Sequence, residues 1–396
     1  MPRRRLLALS ALLLTMSQAV FKLAYVAMKA RMGALGGAEA LGAATGSLAI
    51  ASLVFSLSHG GLPDRAMVQA AKSDEASGDQ VGRLHGLFLL LTLLASLVVF
   101  PLLLGTHQDA SMAMLFAAGA LGQHVTTVTW LSLRGWGKPW LEALALFAAG
   151  LALLALCSQA TAAHQVASAY AVSGALFVFV LMVALARHPM LRPSWTAPSR
   201  WLPELKKTSP FLVLGVTSLW LGSLDIVIVR LLSGGEATGQ LECATLVLRT
   251  GLQVPWLIGT LVIGRWSSAP LRPRGRIVRW VLVASVLAVF AAMFAQLSEG
   301  LVAHLMGVPA TSFRAALARA ALFSPLQYIA VMGLPIGMSV ALRESMWSVL
   351  LAFAVALALM LALGSWLGPP GVQVGHAIGY AVLALGLVRS VERARE

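Results

Sequence analysis

The chain has 396 residues, of which 59% are hydrophobic and 11% charged, with a mean hydropathy of +0.84. Soluble proteins carry roughly 25% charged residues, so a soluble globular domain is excluded and the chain reads as an all-α, polytopic integral membrane protein. A formal net charge of +14 would suggest nucleic acid in a soluble protein, but in a membrane protein its distribution between connections decides its meaning.

A membrane span needs about 20 mainly apolar residues, because a hydrocarbon core of about 30 Å is crossed at about 1.5 Å per residue. The N-terminus, MPRRRLLALSALLLTMSQA, has the arginines, apolar run and small-residue ending of a signal peptide. Its apolar character continues to Met28, so an uncleaved first helix is expected. Spans are predicted at 6–28, 40–62, 84–105, 111–133, 140–160, 166–187, 209–232, 240–263, 278–297, 319–341, 345–365 and 368–388, about twelve helices. Pro325, Pro335, Pro369 and Pro370 interrupt or abut the last three.

Connections assigned to one side hold 22 Lys and Arg, and those on the other side hold 5, among them Lys29, Arg31, Arg230, Arg314 and Arg319. By the positive-inside rule both termini are expected in the cytoplasm. The net charge is then mostly a record of topology, nucleic acid is not an expected partner, and membrane lipids are.

The longest polar connection, 188–208, carries Pro193, Pro198 and Pro203 with five basic residues from Arg192 onward or at its edge, and divides the chain into an N-terminal six-helix half, 1–187, and a C-terminal one, 209–396. An internal echo supports the division: GGAEALG at 36–42 and SGGEATG at 233–239 follow the first and seventh spans, with Glu39 and Glu236 standing 197 residues apart. Two halves of six helices would share one topology about an axis along the membrane normal.

Polar residues recur at helical spacing inside several spans. Thr15, Gln18, Lys22, Tyr25 and Lys29 share one face of the first, and Glu242, Thr245, Arg249, Gln253, Trp256 and Thr260 one face of the eighth. Asp225 stands in the seventh, and Gln123, Thr127 and Trp130 in the fourth. Ser and Thr in such positions can simply join helices by hydrogen bonds. Lys22 and Arg249 lie too far from span ends to reach water easily, so they face a cavity or a counter-ion, and Asp225 could neutralise either. Arg230 is expected to be an interfacial anchor, and Glu142 a solvated residue at the entrance of the fifth span. Fixed cations in a confined space favour anionic cargo, Arg matches phosphate with two bonds, and Tyr25, Trp130, Trp256, Gln18 and Gln253 suit sugar faces and hydroxyls.

No phosphate-binding loop, HExxH motif or histidine cluster is present, and Cys157 and Cys243 fall in apolar runs without metal-ligand spacing. The outer connections are short, the largest, 298–318, having Glu299 as its one carboxylate. Neither an enzyme nor a cofactor or metal site is expected.

Three passages, MGALGGAEALGAATGSLAIASLVFSLSHGGLPDRAMVQ, SLDIVIVRLLSGGEATGQLECATLVLR and GPPGVQVGHAIGYAVLALGLV, resemble the polysaccharide-transport flippases (Wzx-like) of the multidrug, oligosaccharidyl-lipid and polysaccharide (MOP) exporter superfamily. The resemblance implies two six-helix bundles around a central cavity that alternates access. Its implied cargo is an undecaprenyl-diphosphate-linked oligosaccharide crossing a bacterial inner membrane, with polysaccharide-assembly proteins as partners and H+ or Na+ as coupling ion. It also implies that Lys22, Asp225 and Arg249 are cavity residues. A multidrug or metabolite exporter of the same superfamily, and a membrane scaffold whose charges are structural, are the alternatives.

Overall fold

The computed structural model describes residues 2–59, 61–70, 75–106, 110–136, 138–195, 201–252, 254–255, 273–340 and 342–393. The described residues form helices and no strand. They are α1 (Pro2–His59), α2 (Leu62–Ala70), α3 (Glu75–Thr106), α4 (Ala110–His124), α5 (Thr127–Gly135), α6 (Trp140–Gln159) and α7 (Ala163–Arg187), then α8 (Trp201–Gly251), α9 (Pro273–Leu297), α10 (Glu299–Met306), α11 (Ala310–Val340), α12 (Leu342–Leu367) and α13 (Pro369–Arg393). A chain that must satisfy every backbone group without water has little choice but helix. Eight segments among the described residues are long and apolar enough to cross a membrane, one of them, Leu13–Ser56, long enough for two spans. The protein is a multi-pass, all-α membrane protein.

Two compact units divide the chain: residues 1–36 with 47–216, and residues 37–46 with 217–396. In the first unit, Trp130 and Leu133 from α5, Leu141, Ala145 and Ala149 from α6 and Phe177 from α7 share an apolar core with Leu191. A second cluster joins Leu62 and Ala66 of α2 to Leu84 and Phe88 of α3 and Val128 of α5. In the second unit Trp280 of α9 is fully buried, donating its indole N–H to the Ile329 carbonyl of α11 at 2.9 Å.

The echo between 36–42 and 233–239 has a physical basis. The first and second spans form one helical run whose backbone turns at Gly37, with φ 64°, and the seventh and eighth form another that turns at Gly234, with φ 81°. These two positions also stand 197 residues apart, and both use a left-handed conformation that costs an L side chain about 1–2 kcal/mol. The two turns meet within the second unit. A Cβ on Gly42 would overlap the Gly235 carbonyl, and one on Gly239 would overlap the Ala38 carbonyl. Since Gly42 corresponds to Gly239 and Ala38 to Gly235, the two contacts are the same contact made twice about a local two-fold.

Several expectations change. Lys29 and Arg31 belong to α1 rather than to an outer connection, because the helix continues to the Gly37 turn. Arg31 donates through Nε to the Ala160 carbonyl at 2.9 Å, closing the C-terminal end of α6. Arg319 likewise lies inside α11, in a spanning segment. The fourth span is two helices, α4 and α5, with the Thr126 and Thr127 hydroxyls donating to the Gln123 and His124 carbonyls at 2.7 and 2.8 Å where the helix breaks. The prolines do not end the tenth span: the Ser324 hydroxyl donates at 2.8 Å to the Ala321 carbonyl, the acceptor that Pro325 cannot serve. Pro369 and Pro370 open α13, where a missing N–H costs nothing. The polar connection after α7 is shorter than its composition suggests, since α8 starts at Trp201.

Glu142 is not solvated. It is buried and receives both arms of the Arg134 guanidinium, joining the end of α5 to the start of α6. Removing one partner of a buried pair leaves an uncompensated charge. Arg134→Ala should therefore lower the thermal midpoint of the purified protein clearly, by the equivalent of about 2–4 kcal/mol, and Arg134→Lys, which cannot fork onto both oxygens, by an intermediate amount.

Candidate functional site

In the second unit Arg249, His376 and Glu242 assemble around Asp225. Its Oδ2 lies 2.5 Å from Arg249 Nη2 and 3.4 Å from His376 Nδ1, while Oδ1 accepts the Ile226 N–H at 3.0 Å. Arg249 Nη1 reaches to 3.9 Å from Glu242 Oε2. Asp225 and Glu242 are buried, at 4% and 2% exposure. Helical spacing explains the assembly: Glu242, Thr245 and Arg249 share the inward stripe of α8 beyond its turn, and an Arg side chain leans toward its helix N-terminus, here toward Asp225.

Asp225, Arg249 and His376 line a pocket with about 450 Å³ of open space, its mouth included, bounded by α8, α11 and α13. Thr245 and Leu248 of α8, Phe323 and Gln327 of α11, and Gln373, His376 and Tyr380 of α13 complete the wall. Gln327 donates to the Tyr380 hydroxyl at 3.2 Å, and the Tyr380 and His376 rings lie 4.8 Å apart. Gln373 donates to the Ala316 carbonyl at 3.1 Å and accepts the Arg319 Nε–H at 2.7 Å. Arg319 thus enters the spanning region with an amide for a partner, whereas Arg249 has Asp225. Arg230, read from sequence as an interfacial anchor, is mostly buried and stands 3.6 Å from Glu39 Oε1, with its stem against Gly46.

The candidate site residues fall into three groups. Asp225 and Arg249 come together in the pocket. Gln18, Lys22 and Tyr25 lie on α1 in the first unit, Lys22 exposed and the other two part-buried, with Lys29 Nζ 4.7 Å from the Tyr25 ring centroid. Gln253 and Trp256 lie outside the described residues. Sequence reasoning missed the pocket residues His376, Tyr380, Gln373 and Gln327, and Arg319 behind them on Gln373. The signal was present in the thirteenth helix, where Gln373, His376 and Tyr380 stand at helical spacing. Both cysteines are buried free thiols, and no group of His, Cys, Asp or Glu among the described residues could hold a metal ion.

No family model and no curated protein matches the sequence, but solved structures do match the fold over nearly the whole chain. An inward-facing multidrug resistance MATE family transporter of the MOP superfamily superposes with a TM-score of 0.69 at 15% identity, over 96% of this chain and 94% of that one. The eukaryotic MATE transporter AtDTX14 gives 0.61 at 14%, over 100% and 98%. A MOP superfamily transporter from Pyrococcus furiosus, for which the reverse polarity of the binding pocket suggests a different function, gives 0.60 at 16%, over 99% and 96%. The chain has the fold of the MATE transporters of the MOP superfamily.

Proposed function

We propose that this protein is an exporter working by alternating access, and that its cargo is a lipid-linked oligosaccharide carried across a bacterial inner membrane with both chain termini cytoplasmic. The observation that carries the reading is the pocket wall of the second unit. Gln327, Gln373, Thr245, Tyr380 and His376 offer amide, hydroxyl and imidazole groups, with Phe323 as a face for stacking, which is the chemistry of a sugar ring. Asp225 has its charge matched by Arg249, so the pocket does not present a bare carboxylate to a cationic drug. Arg319, held by an amide, keeps a guanidinium for a diphosphate. Lys22, Gln18 and Tyr25 of α1, and Gln253 and Trp256, are proposed as further cargo-contacting residues on the strength of the sequence pattern alone. A coupling ion, proton or sodium, would act by replacing Arg249 on Asp225. The Pyrococcus relative supports the idea that one fold accommodates pockets of opposite polarity.

The second reading is export of a small amphipathic cation. Two carboxylates, Asp225 and Glu242, stand against one guanidinium, and an inward-facing multidrug resistance transporter is among the structures that superpose on the chain.

Reconstituted liposomes decide between them. A labelled undecaprenyl-diphosphate oligosaccharide should cross in the presence of the protein, and Arg319→Ala should slow it roughly 10- to 100-fold, the worth of one hydrogen-bonded charge, with the thermal midpoint little changed. Transport of a cationic dye, with no movement of the lipid-linked sugar, would establish the second reading.

A further inference from the structure

The end of the first unit where α6 begins and α7 finishes carries a second charged feature, separate from the pocket. Two short segments meet the solvent there. One holds Trp136 and residues 138–140, fixed by the Arg134–Glu142 fork and by the Lys138 N–H on the Leu133 carbonyl at 2.8 Å. The other is 188–195, which follows α7 and is fastened onto α3. The Ser194 N–H donates to the Gly82 carbonyl at 2.9 Å, His85 Nδ1 stands 2.6 Å from the Leu191 carbonyl, and Leu191 is buried in the core. Gly82 and Gly86 leave no room for a side chain beneath it. These are fixed platforms.

What they display is basic and apolar together. Lys138, Arg187 and Arg192 are exposed, and none forms an ion pair with a described residue, in contrast to Arg134 on Glu142 and Arg65 on Glu204 at 2.6 Å. Beside them Met190 and Trp140 are exposed, and Trp195 is exposed to 71%. Partial burial, then the charges of Lys138 and Arg187, hold the His188 imidazole below its ordinary range, so these two cations share one neighbourhood, and Arg192 joins the same short turn through its N–H on the Pro189 carbonyl at 3.0 Å. This end closes two spanning helices, Trp140–Gln159 and Ala163–Arg187. It therefore sits at a membrane–water interface, where Trp settles at headgroup depth and cations meet lipid phosphate.

We infer that this surface is a binding site for an anionic phospholipid headgroup, with Lys138, Arg187 and Arg192 on the phosphate and Trp140, Met190 and Trp195 against the upper acyl chains. Each cation near an anionic lipid surface is worth roughly fivefold in binding. The full-length protein in zwitterionic micelles is titrated with phosphatidylglycerol or phosphatidylcholine and bound lipid is counted by native mass spectrometry. Phosphatidylglycerol should be retained over phosphatidylcholine, and the variant Lys138→Gln/Arg187→Gln/Arg192→Gln should lose at least tenfold of that preference, whereas Lys138→Arg keeps it. Should the triple variant fail to fold, Arg192→Gln alone replaces it, with about a fivefold loss expected. Equal retention of both lipids by the wild type, or a preference unaltered by the substitutions, overturns the inference. So does displacement of phosphatidylglycerol by millimolar inorganic phosphate, which would make the ligand a soluble anion.

Discussion

Arg249→Ala should lower the stability of the protein by about 3–5 kcal/mol, the cost of removing one partner from a buried ion pair. The loss comes from what remains. Asp225 would keep the Ile226 N–H and His376, but Glu242 and Asp225 would share the interior without the guanidinium that stands between them. Asp225→Ala should be destabilising for the converse reason, since Glu242 at 3.9 Å is a poor replacement for an oxygen at 2.5 Å. The double variant Asp225→Ala/Arg249→Ala removes both charges and should recover most of the loss, because well-packed neutral replacements of buried pairs are often close to neutral. Thermal unfolding in detergent reads this cycle directly. Transport separates structure from function: if the pair serves only to hold α8 together, the double variant regains transport with stability; if Asp225 and Arg249 exchange partners during the cycle, stability returns and transport does not. Equal midpoints for wild type and Arg249→Ala would contradict the pairing itself.

How much of this was legible in the sequence depends on which physical signal was in play. Hydrophobic length located the spans, since a stretch such as Trp140–Gln159 has no soluble alternative. The same argument inverted singles out Asp225 and Arg249, because an ionised group is costly where they stand. What failed was the assumption that a charge near a span end is solvated. Arg31, Glu142 and Arg230 each meet a partner far away in sequence or across a break, namely Ala160, Arg134 and Glu39, and periodicity carries no information about partners on other elements. A charge marks the end of an apolar window, which assigns Arg319 to a connection, whereas Gln373, its acceptor, is 54 residues further on. Proline misleads for a similar reason, since Pro325 breaks a helix only if the freed carbonyl lacks another donor, and Ser324 supplies one.

The glycine turns give the second large effect. Gly239→Val should cost more than the 1–3 kcal/mol usual for overpacking, because the new side chain meets the Ala38 carbonyl, which belongs to backbone and cannot rotate away. Gly42→Val should cost a similar amount, since its side chain meets the Gly235 carbonyl in the corresponding contact. Both substitutions force the same two segments apart, so their effects should fail to add: once one contact has opened the turns, the second has less to lose. Gly300→Ala is the control, a helical glycine of α10 with no atom within 4 Å of its added Cβ, and should be neutral or slightly stabilising. Gly37→Ala and Gly234→Ala test the other half of the repeat, each costing about 1–2 kcal/mol for a left-handed conformation with no clash. Thermal midpoints of this set rank the contributions. A Gly239→Val protein as stable as the Gly300→Ala control would mean that residues 37–46 do not pack on the 233–239 turn. A strictly additive Gly42→Val/Gly239→Val pair would mean that the two contacts are independent, and that the matching sequences at 36–42 and 233–239 are not two halves of one interface.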